Sequence, residues 1–217
     1  MYKILEIIMK MTLGFALCAC GTVMAINSNL GLSPWDVFHQ GLTNLTSLTM
    51  GQASIIVGVA IVIITSILGL KVGLGTIANI LVIGYFIDFI IYRNIIPVCN
   101  NIYSGIFMMI VGMFLIAIGS YLYVACGMGC GPRDGLMIVL AKITGKPVGI
   151  IRAAIEIAAL TVGWFLGGFV GIGTLINALG IGYFVQIVFK IFRFDAKSLK
   201  HKNMKQGLTF MKECITH

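Results

Sequence analysis

Long stretches without a charged side chain dominate this sequence and limit what it can fold into. No Asp, Glu, Lys or Arg occurs in residues 11–35, 37–70, 94–132 or 157–189. A helix needs about 20 apolar residues to cross the hydrocarbon core of a bilayer. Lipid cannot satisfy exposed backbone polar groups, and the alternation typical of barrel strands is missing. The chain, with 59% hydrophobic and 10% charged residues, is therefore predicted to be an all-α membrane protein.

Clusters of glycine, proline and polar residues divide these stretches into six predicted spans. The expected spans are about 8–28, 52–70, 74–92, 104–126, 150–168 and 172–192. An N-terminal signal peptide is the weaker interpretation of the first span, because the apolar run continues past Cys20.

The sequence contains an internal duplication with a shift of 98 residues. Residues 73–86 read GLGTIANILVIGYF and residues 171–184 read GIGTLINALGIGYF, with nine of fourteen positions identical. The similarity extends further, because residues 31–88 and 129–186 share 19 of 58 positions without a gap. Two long copies do not form a solenoid, which needs several short repeats.

Each copy contains three predicted spans, so the second copy enters the membrane in the opposite orientation to the first. We expect a first repeat at 1–98, a second at 99–192 and a basic tail at 193–217. The predicted fold is six transmembrane helices from two inverted-topology three-helix repeats, each with a short re-entrant or interfacial helix. Inverted repeats are typical of secondary transporters.

The positive side chains indicate the orientation. If six spans alternate, nearly all loop and terminal cations fall on one side, and Arg93 alone falls on the other. Both termini are therefore predicted to be cytoplasmic. The net charge of +8 reflects this distribution and the tail, so the expected partner is the lipid bilayer and not a nucleic acid. The cations on the common side are Lys3, Lys10, Lys71, Arg133, Lys142, Lys146 and those from Lys190 onward.

Two matched loops, GLSPWD and GCGPRD, are the first candidates for function. Each predicts a short helix, about 34–44 and 132–142, with a proline at its first position and an acid at its third. Asp36 and Asp134 either cap these helices or act at a substrate gate, because free N–H groups at a helix start can bind a ligand. The matched motif residues are Gly31, Pro34, Asp36, Gly129, Pro132 and Asp134.

The second candidates come from the GLGT and GIGT motifs. The glycines permit sharp turns and close helix contact at the entry to spans three and six. Threonines at these entries can cap the spans, and an asparagine follows one turn deeper in each copy. A buried amide either bonds a neighbouring helix or lines a translocation path. These residues are Gly73, Gly75, Thr76 and Asn79, matched by Gly171, Gly173, Thr174 and Asn177.

Two acids within the predicted spans have no acidic counterpart in the other copy. Acids inside a membrane are costly and are candidates for function. Glu156 follows Arg152 by four residues, a spacing that allows a simple ion pair. Asp88 lies near the outer end of span three, where Arg93 could neutralise it.

Catalysis, metal binding and cofactors have little support. The sequence has no HExxH motif, phosphate loop or nucleophile elbow. An aspartyl enzyme built on Asp36 and Asp134 would need two acids that start on opposite sides of the bilayer. The six cysteines predict neither a disulfide framework nor a complete metal site. We therefore expect a protein that is not an enzyme, with no catalytic residues, no metal and no cofactor.

The duplicated loops, the GLGT…N…IGYF motif and the six-span plan resemble the YczE/YitT group of uncharacterised bacterial integral membrane proteins. The resemblance covers nearly the whole chain up to about residue 192, and the lack of a long C-terminal domain fits the YczE branch better. It implies a multi-pass protein of the bacterial inner (plasma) membrane, and it supplies no substrate or site residues.

The architecture favours a small secondary transporter or channel-like permease for an unknown small solute or ion. The alternative is a non-transporting accessory or regulatory factor of another membrane complex. A polar cavity between the halves would favour transport, whereas a closed core with an exposed apolar groove would favour the accessory factor. Gly163, Gly167 and Gly171 have a G-x-x-x-G spacing compatible with a homodimer.

Overall fold

The protein is helical throughout the part of the chain that the computed structural model describes, namely residues 2–194, 202, 204, 206, 207 and 209. Most of the predicted basic tail, including Cys214, lies outside these residues. The helices are α1 Tyr2–Asn27, α2 Pro34–Leu45, α3 Met50–Ile67, α4 Leu74–Tyr92, α5 Ile102–Ala125, α6 Pro132–Thr144, α7 Val148–Phe165 and α8 Ile172–Ile191.

Six of these helices are long and apolar enough to cross a membrane: α1, α3, α4, α5, α7 and α8. They confirm the six predicted spans, with boundaries that differ by a few residues. The largest difference is in α1, which begins at Tyr2 instead of about residue 8. Glu6 and Lys10 form an i,i+4 ion pair there, which supports helix beyond the apolar segment.

The most extensive helix contact joins α1 to α5, and four glycines allow the two helices to approach closely. A methyl group placed on Gly14 would lie 2.8 Å from Gly119 O, and one on Gly21 would lie 2.4 Å from Gly112 O. The contact partners run in opposite chain directions, so the two helices are antiparallel. Ala19, Val23 and Ala117 are fully buried around this crossing.

The other spans pack around the α1–α5 pair. Helix α4 packs on α1, and Ile87 and Ile90 join Ala19 and Val23 in one buried cluster. Helix α8 packs on α5, whereas α3 packs on α4. The short helices α2 and α6 each contact both α3 and α7. Each short helix therefore links the two halves of the chain.

The three glycines of the G-x-x-x-G spacing run from α7 through the turn to the N-cap of α8, and they make their close contacts within the chain. A methyl group on Gly163 would lie 2.5 Å from the backbone of Phe38 in α2, and one on Gly171 would lie 2.3 Å from Leu30 O. Gly167 forms a turn with φ of +84°. These glycines therefore face α2 and the loop before it, and they do not support the predicted homodimer.

Candidate functional site

The first matched loop places Asp36 in the interior at the start of α2. Ser33 is the N-cap, and its Oγ accepts a hydrogen bond from the Asp36 backbone N–H at 3.3 Å. The Ser33 hydroxyl in turn donates to Asp36 Oδ2 at 2.5 Å. Pro34 is the first helical residue, where its missing N–H costs nothing. The carboxylate is therefore part of the helix cap, as its spacing predicts.

His39 lies one turn further along α2 and faces the same carboxylate. Its Nδ1 is 3.4 Å from Asp36 Oδ1, and the His39 side chain is fully enclosed. Burial acts to raise the pKa of Asp36, but the hydrogen bond from His39, the nearby Arg133 and the Ser33 hydroxyl together hold it below its ordinary value. Burial lowers the pKa of His39. Asp36 is therefore ionised and His39 neutral near pH 7.

The second matched loop presents a cation at the position where the first presents an aromatic ring. Gly131 is the N-cap of α6 and Pro132 its first residue. The guanidinium carbon of Arg133 lies 4.9 Å from the centroid of the Trp35 ring. Arg133 and Trp35 occupy equivalent positions in the two copies. The duplicated motifs therefore meet each other inside the protein.

A cavity of about 570 Å³ lies between the two motifs and reaches Asp36, Arg133 and Asp134. Its size is within the range of small-molecule sites. The Arg133 side chain is accessible to solvent within this cavity, although the surrounding protein desolvates its charge. Burial lowers the pKa of Arg133, and the charges of Asp36 and Asp134 act in the opposite direction. Asp36 and Asp134 are predicted to start on opposite sides of the bilayer, but both line this cavity.

A smaller cavity of about 180 Å³ adjoins the first and shares Asp36, Arg133 and Asp134 with it. Helices α7 and α8 add Glu156 and Asn177. Arg152 Nε donates to Glu156 Oε1 at 3.0 Å, so these two residues form the i,i+4 pair that their spacing allows. The pair faces the cavity and is not simply a surface contact.

The two asparagines occupy equivalent positions in the two copies but line different cavities. Asn79 is buried and lines the larger cavity. Asn177 is 2% exposed and lines the smaller one. The Asn177 Nδ2 atom has no hydrogen-bond partner among the described residues. A buried donor without a partner is costly, so this amide is the polar group that most needs an explanation.

The GLGT and GIGT motifs each hold one of the matched loops in place through an equivalent backbone hydrogen bond. Gly75 N–H donates to Met128 O at 2.8 Å, and Gly173 N–H donates to Leu30 O at 2.7 Å. Gly73 and Gly171 pack against the same two loops. Each loop therefore rests on the helix start of the opposite copy.

Threonines and loop glycines complete these contacts. Thr76 Oγ1 donates to Cys130 O at 2.6 Å, and Thr174 Oγ1 accepts from Gly171 N–H at 3.1 Å. Gly31 and Gly129 have φ of +119° and +139°, a region that glycine adopts without strain. A methyl group at either position would also come within 2.8 Å of a threonine Oγ1.

Asp88 lines neither of these two cavities, and its hydrogen bonds differ from the pairing predicted for it. It does not pair with Arg93, whose guanidinium lies over the Phe89 ring. Its carboxylate instead accepts hydrogen bonds from Thr49 Oγ1 at 2.5 Å and Gly51 N–H at 2.7 Å. Asp88 therefore caps the start of α3, where the helix dipole favours a negative charge.

Sequence reasoning missed Arg133, His39 and Trp35 as site residues. Arg133 is predicted from its place after span four only to indicate orientation, yet it lines the cavity. The one available signal was its place inside a duplicated motif, opposite Trp35 in the alignment. Among the described residues, no three His, Cys, Asp or Glu side chains are grouped as metal ligands.

The fold and the polar cavity define this chain as a multi-pass α-helical membrane protein. It belongs to the family of unknown function DUF6198, which matches residues 5–190. This membership confirms the predicted resemblance to a YczE-like uncharacterised membrane family.

Three relatives are similar over most of their length. An uncharacterised membrane protein YczE of Bacillus subtilis (strain 168) is 37% identical, covering 82% of this chain and 84% of its own. An uncharacterised protein of Haemophilus influenzae (strain ATCC 51907 / DSM 11121 / KW20 / Rd) is 32% identical, covering 88% and 85%. The uncharacterised protein YyaS of Bacillus subtilis (strain 168) is 27% identical, covering 76% and 83%. No solved structure matches the chain.

Proposed function

We propose that this protein is a small secondary transporter or channel-like permease of the bacterial inner membrane, built from two inverted three-span repeats. The observation that carries the proposal is the convergence of Asp36 and Asp134, one from each copy, on a single central cavity. A cavity shared by two inverted halves can be opened from either side by equivalent movements.

The α1–α5 crossing supports the inverted arrangement. A shift of 98 residues converts Gly14 into Gly112 and Gly21 into Gly119. The contact between Gly14 and Gly119 therefore becomes the contact between Gly112 and Gly21, which is also present. A pair of antiparallel contacts that exchange in this way is what a pseudo-two-fold axis in the membrane plane would produce.

The short helices support a re-entrant role. At about 1.5 Å per residue, 12 and 13 residues span only about 18 and 20 Å, less than a hydrocarbon core of about 30 Å. Helices α2 and α6 begin at the central cavity with Ser33 and Gly131 as their N-caps. In this proposal each helix runs from the cavity toward its own membrane face.

Transport is tested with the protein in proteoliposomes exposed to a defined mixture of small polar metabolites. Mass spectrometry of the lumen identifies the solutes that enter. We expect at least one to accumulate above protein-free liposomes, and Asp36→Asn and Asp134→Asn to reduce that uptake while remaining folded. Lys10→Gln, which removes a charge from an exposed ion pair, serves as the control.

Absence of metabolite uptake above background would contradict transport and favour the non-transporting accessory factor. Uptake by both Asn variants at the wild-type level would leave transport standing and would limit Asp36 and Asp134 to a structural role. A melting curve for each variant separates loss of transport from loss of folded protein.

The topology is tested at two matched exposed positions, Thr46 and Thr144, at the C-terminal ends of α2 and α6. In a background without native cysteines, we expect Thr46→Cys to react with an impermeant thiol reagent in intact cells. Thr144→Cys should react only after lysis, because it lies on the predicted cytoplasmic side with both termini. Labelling of both from outside would contradict the inverted arrangement.

A further inference from the structure

The two cavities are related by the same shift of 98 residues as the two sequence copies. Residues of α7 and α8 line the smaller cavity, and the residue equivalent to each of them lines the larger one along α3 and α4. Asp36, Arg133 and Asp134 line both cavities. The cavities are therefore matched halves of one space that meet at the duplicated loops. The matched pairs are Arg152 with Ser54, Ile155 with Val57, Glu156 with Gly58, Asn177 with Asn79, Ala178 with Ile80 and Ile181 with Ile83.

The helices around one half of this space are in close contact, and those around the other half are not. A methyl group on Gly84 of α4 would lie 2.8 Å from Gly51 O of α3, and both glycines are buried. At the equivalent Gly182 and Gly149, a methyl group would meet no atom of the described residues within 4 Å. Gly149 is exposed and Gly182 partly exposed. The same pair of glycines therefore forms a helix contact in the first copy and leaves a gap in the second.

Asp88 strengthens the contact in the first copy. From α4, its carboxylate accepts hydrogen bonds from Thr49 Oγ1 and Gly51 N–H at the start of α3. Hydrogen bonds to a charged acceptor are about twice as strong as neutral ones. The equivalents of Asp88 and Thr49 in the second copy are Gln186 and Pro147, which offer neither an acid nor a hydroxyl. The helix contact is thus reinforced in one half only.

We propose that this structure is one of two states of the transporter, in which Asp88 holds the α3–α4 end of the central space closed while the α7–α8 end is open. In the second state, Gly149 and Gly182 make the close contact, and Gly51 and Gly84 separate. Such an exchange between inverted halves moves the opening from one membrane face to the other. By the predicted topology, the closed end faces outside and the open end faces the cytoplasm. The assignment rests on the proposed function, since it names the residues that control access to its central cavity.

The test is a disulfide between cysteines at the open pair, in proteoliposomes and in a chain without native cysteines. A disulfide needs two Cβ atoms about 3.5–4.5 Å apart, a distance that the gap at Gly149 and Gly182 does not provide. We expect Gly149→Cys with Gly182→Cys to cross-link under mild oxidation, because the second state brings α7 and α8 together. The control pair is Ile150→Cys with Gly182→Cys, which moves one cysteine to the next residue of α7. The control should cross-link about tenfold more slowly or less, since its Cβ atoms do not face each other in that state.

A further variant connects Asp88 to this movement. Asp88→Asn keeps the size of the side chain but removes its charge, so the α3–α4 contact should open more often. We expect it to accelerate cross-linking between positions 149 and 182 about threefold or more, because its hydrogen bonds become weaker. Gln186→Leu, at the equivalent position of the second copy, should leave the rate unchanged. Thr49→Val, which removes one of the two hydrogen bonds, takes the place of Asp88→Asn if the melting curve shows that Asp88→Asn is not folded.

Uptake provides a second measurement at the open pair. Gly149→Leu places a large side chain where the second state needs close contact, whereas the present state leaves room for it. We expect its melting temperature to stay close to the wild type and its solute uptake to fall about tenfold or more, because overpacking at the contact prevents closure. Ile150→Leu, at the neighbouring exposed position, should transport normally.

The outcomes separate this proposal from the proposed function, because cross-linking needs no substrate. The proposal is overturned if the Gly149 and Gly182 pair cross-links no faster than the control pair. It is also overturned if a folded Asp88→Asn or Thr49→Val leaves the rate unchanged, or if Gly149→Leu takes up solute as the wild type does. Uptake without cross-linking would leave the transporter standing and remove this exchange of contacts. Cross-linking that depends on Asp88, without uptake of any solute, would support the exchange and contradict transport.

Discussion

The two matched turns, α7–α8 and α3–α4, are held in place by different parts of the chain. In the α7–α8 turn, Gln40 Oε1 accepts from Phe169 N–H at 2.6 Å. Asn44 Nδ2 donates to Gly167 O at 2.7 Å. Both side chains come from α2. This turn is therefore fixed by the short helix that packs on it.

In the α3–α4 turn, the C-terminal tail supplies contacts of this kind. The α6 residues equivalent to Gln40 and Asn44 are Ile138 and Lys142, and Ile138 has no polar group. Met204 N–H donates to Val72 O in this turn at 2.9 Å. Lys202 packs against Gly73 at the end of the turn, and its N–H donates to Gly127 O in the neighbouring α5–α6 connection, also at 2.9 Å. A duplicated backbone plan can thus be stabilised in two ways, by an internal helix in one half and by the tail in the other.

The helices on either side of these turns differ as well. A methyl group on Gly51 would lie 2.1 Å from Gly84 O, so α3 and α4 are in close contact. At the equivalent positions, Gly149 and Gly182, a methyl group would meet no atom within 4 Å. Helix α7 instead packs on α2 and α6. The smaller cavity includes residues of both α7 and α8, on the side where this close contact is missing.

The largest expected effect tests this difference in helix contact. Gly51→Ala should lower the free energy of unfolding by about 3 kcal/mol, because its methyl group would strike a backbone carbonyl. Gly149→Ala should leave stability unchanged or raise it by up to about 1 kcal/mol, since alanine favours a helix. Melting curves in the same detergent measure both. Equal losses would mean that α7 and α8 touch as closely as α3 and α4 do.

The next effect tests the role of the tail. A chain ending at residue 201 loses the bonds made by Lys202 and Met204 and the packing of Gly207 on Leu74. We expect a loss of about 2 kcal/mol, at about 1 kcal/mol for each net hydrogen bond. A chain ending at residue 209 keeps these contacts and serves as the control. If both truncations melt like the full chain, the tail does not hold the α3–α4 turn.

A smaller effect is expected at the other turn. Gln40→Leu removes the acceptor for Phe169 N–H, and because Phe169 is partly exposed the loss should be about 1 kcal/mol. Ile138→Gln, the reverse change at the equivalent position, should cost little because Ile138 is 44% exposed. Thermal unfolding of both variants is the measurement. A larger loss for Ile138→Gln than for Gln40→Leu would reverse the comparison.

The elements predicted well from the sequence are those that local chemistry fixes. Apolar run length gave the six spans, and Pro34 and Pro132 marked the starts of α2 and α6 because proline suits a first helical turn. The i,i+4 spacing predicted the pair of Arg152 and Glu156. Each of these depends on residues that are close in the chain.

The features that the sequence did not predict depend on which distant segments meet. Nothing local to Arg133 distinguishes a cavity cation from a loop cation, since the difference is its position over Trp35. Asp88 has a cation five residues away in the chain, yet its partners are on α3, at residues far from it in sequence. The contact of the tail with Val72 likewise has no periodic or compositional signal.

The smallest expected effect is a difference between the two halves in how stability depends on pH. His39 in α2 is matched by Met137 in α6, so only the first half carries a titratable group at this position. Because burial lowers the pKa of His39 below 6.5, the unfolded chain binds a proton more readily than the folded one. The stability that neutral His39 contributes is fully present above pH 6.5 and is lost as the pH falls below it. The depressed pKa of Asp36 confines its own titration to more acidic conditions.

The melting temperature of the wild type should therefore fall between pH 7.5 and about 5.5. The melting temperature of His39→Gln, which keeps a donor for Asp36, should change less over the same range. The same slope in both proteins would place the pH dependence elsewhere and remove His39 from the difference between the halves.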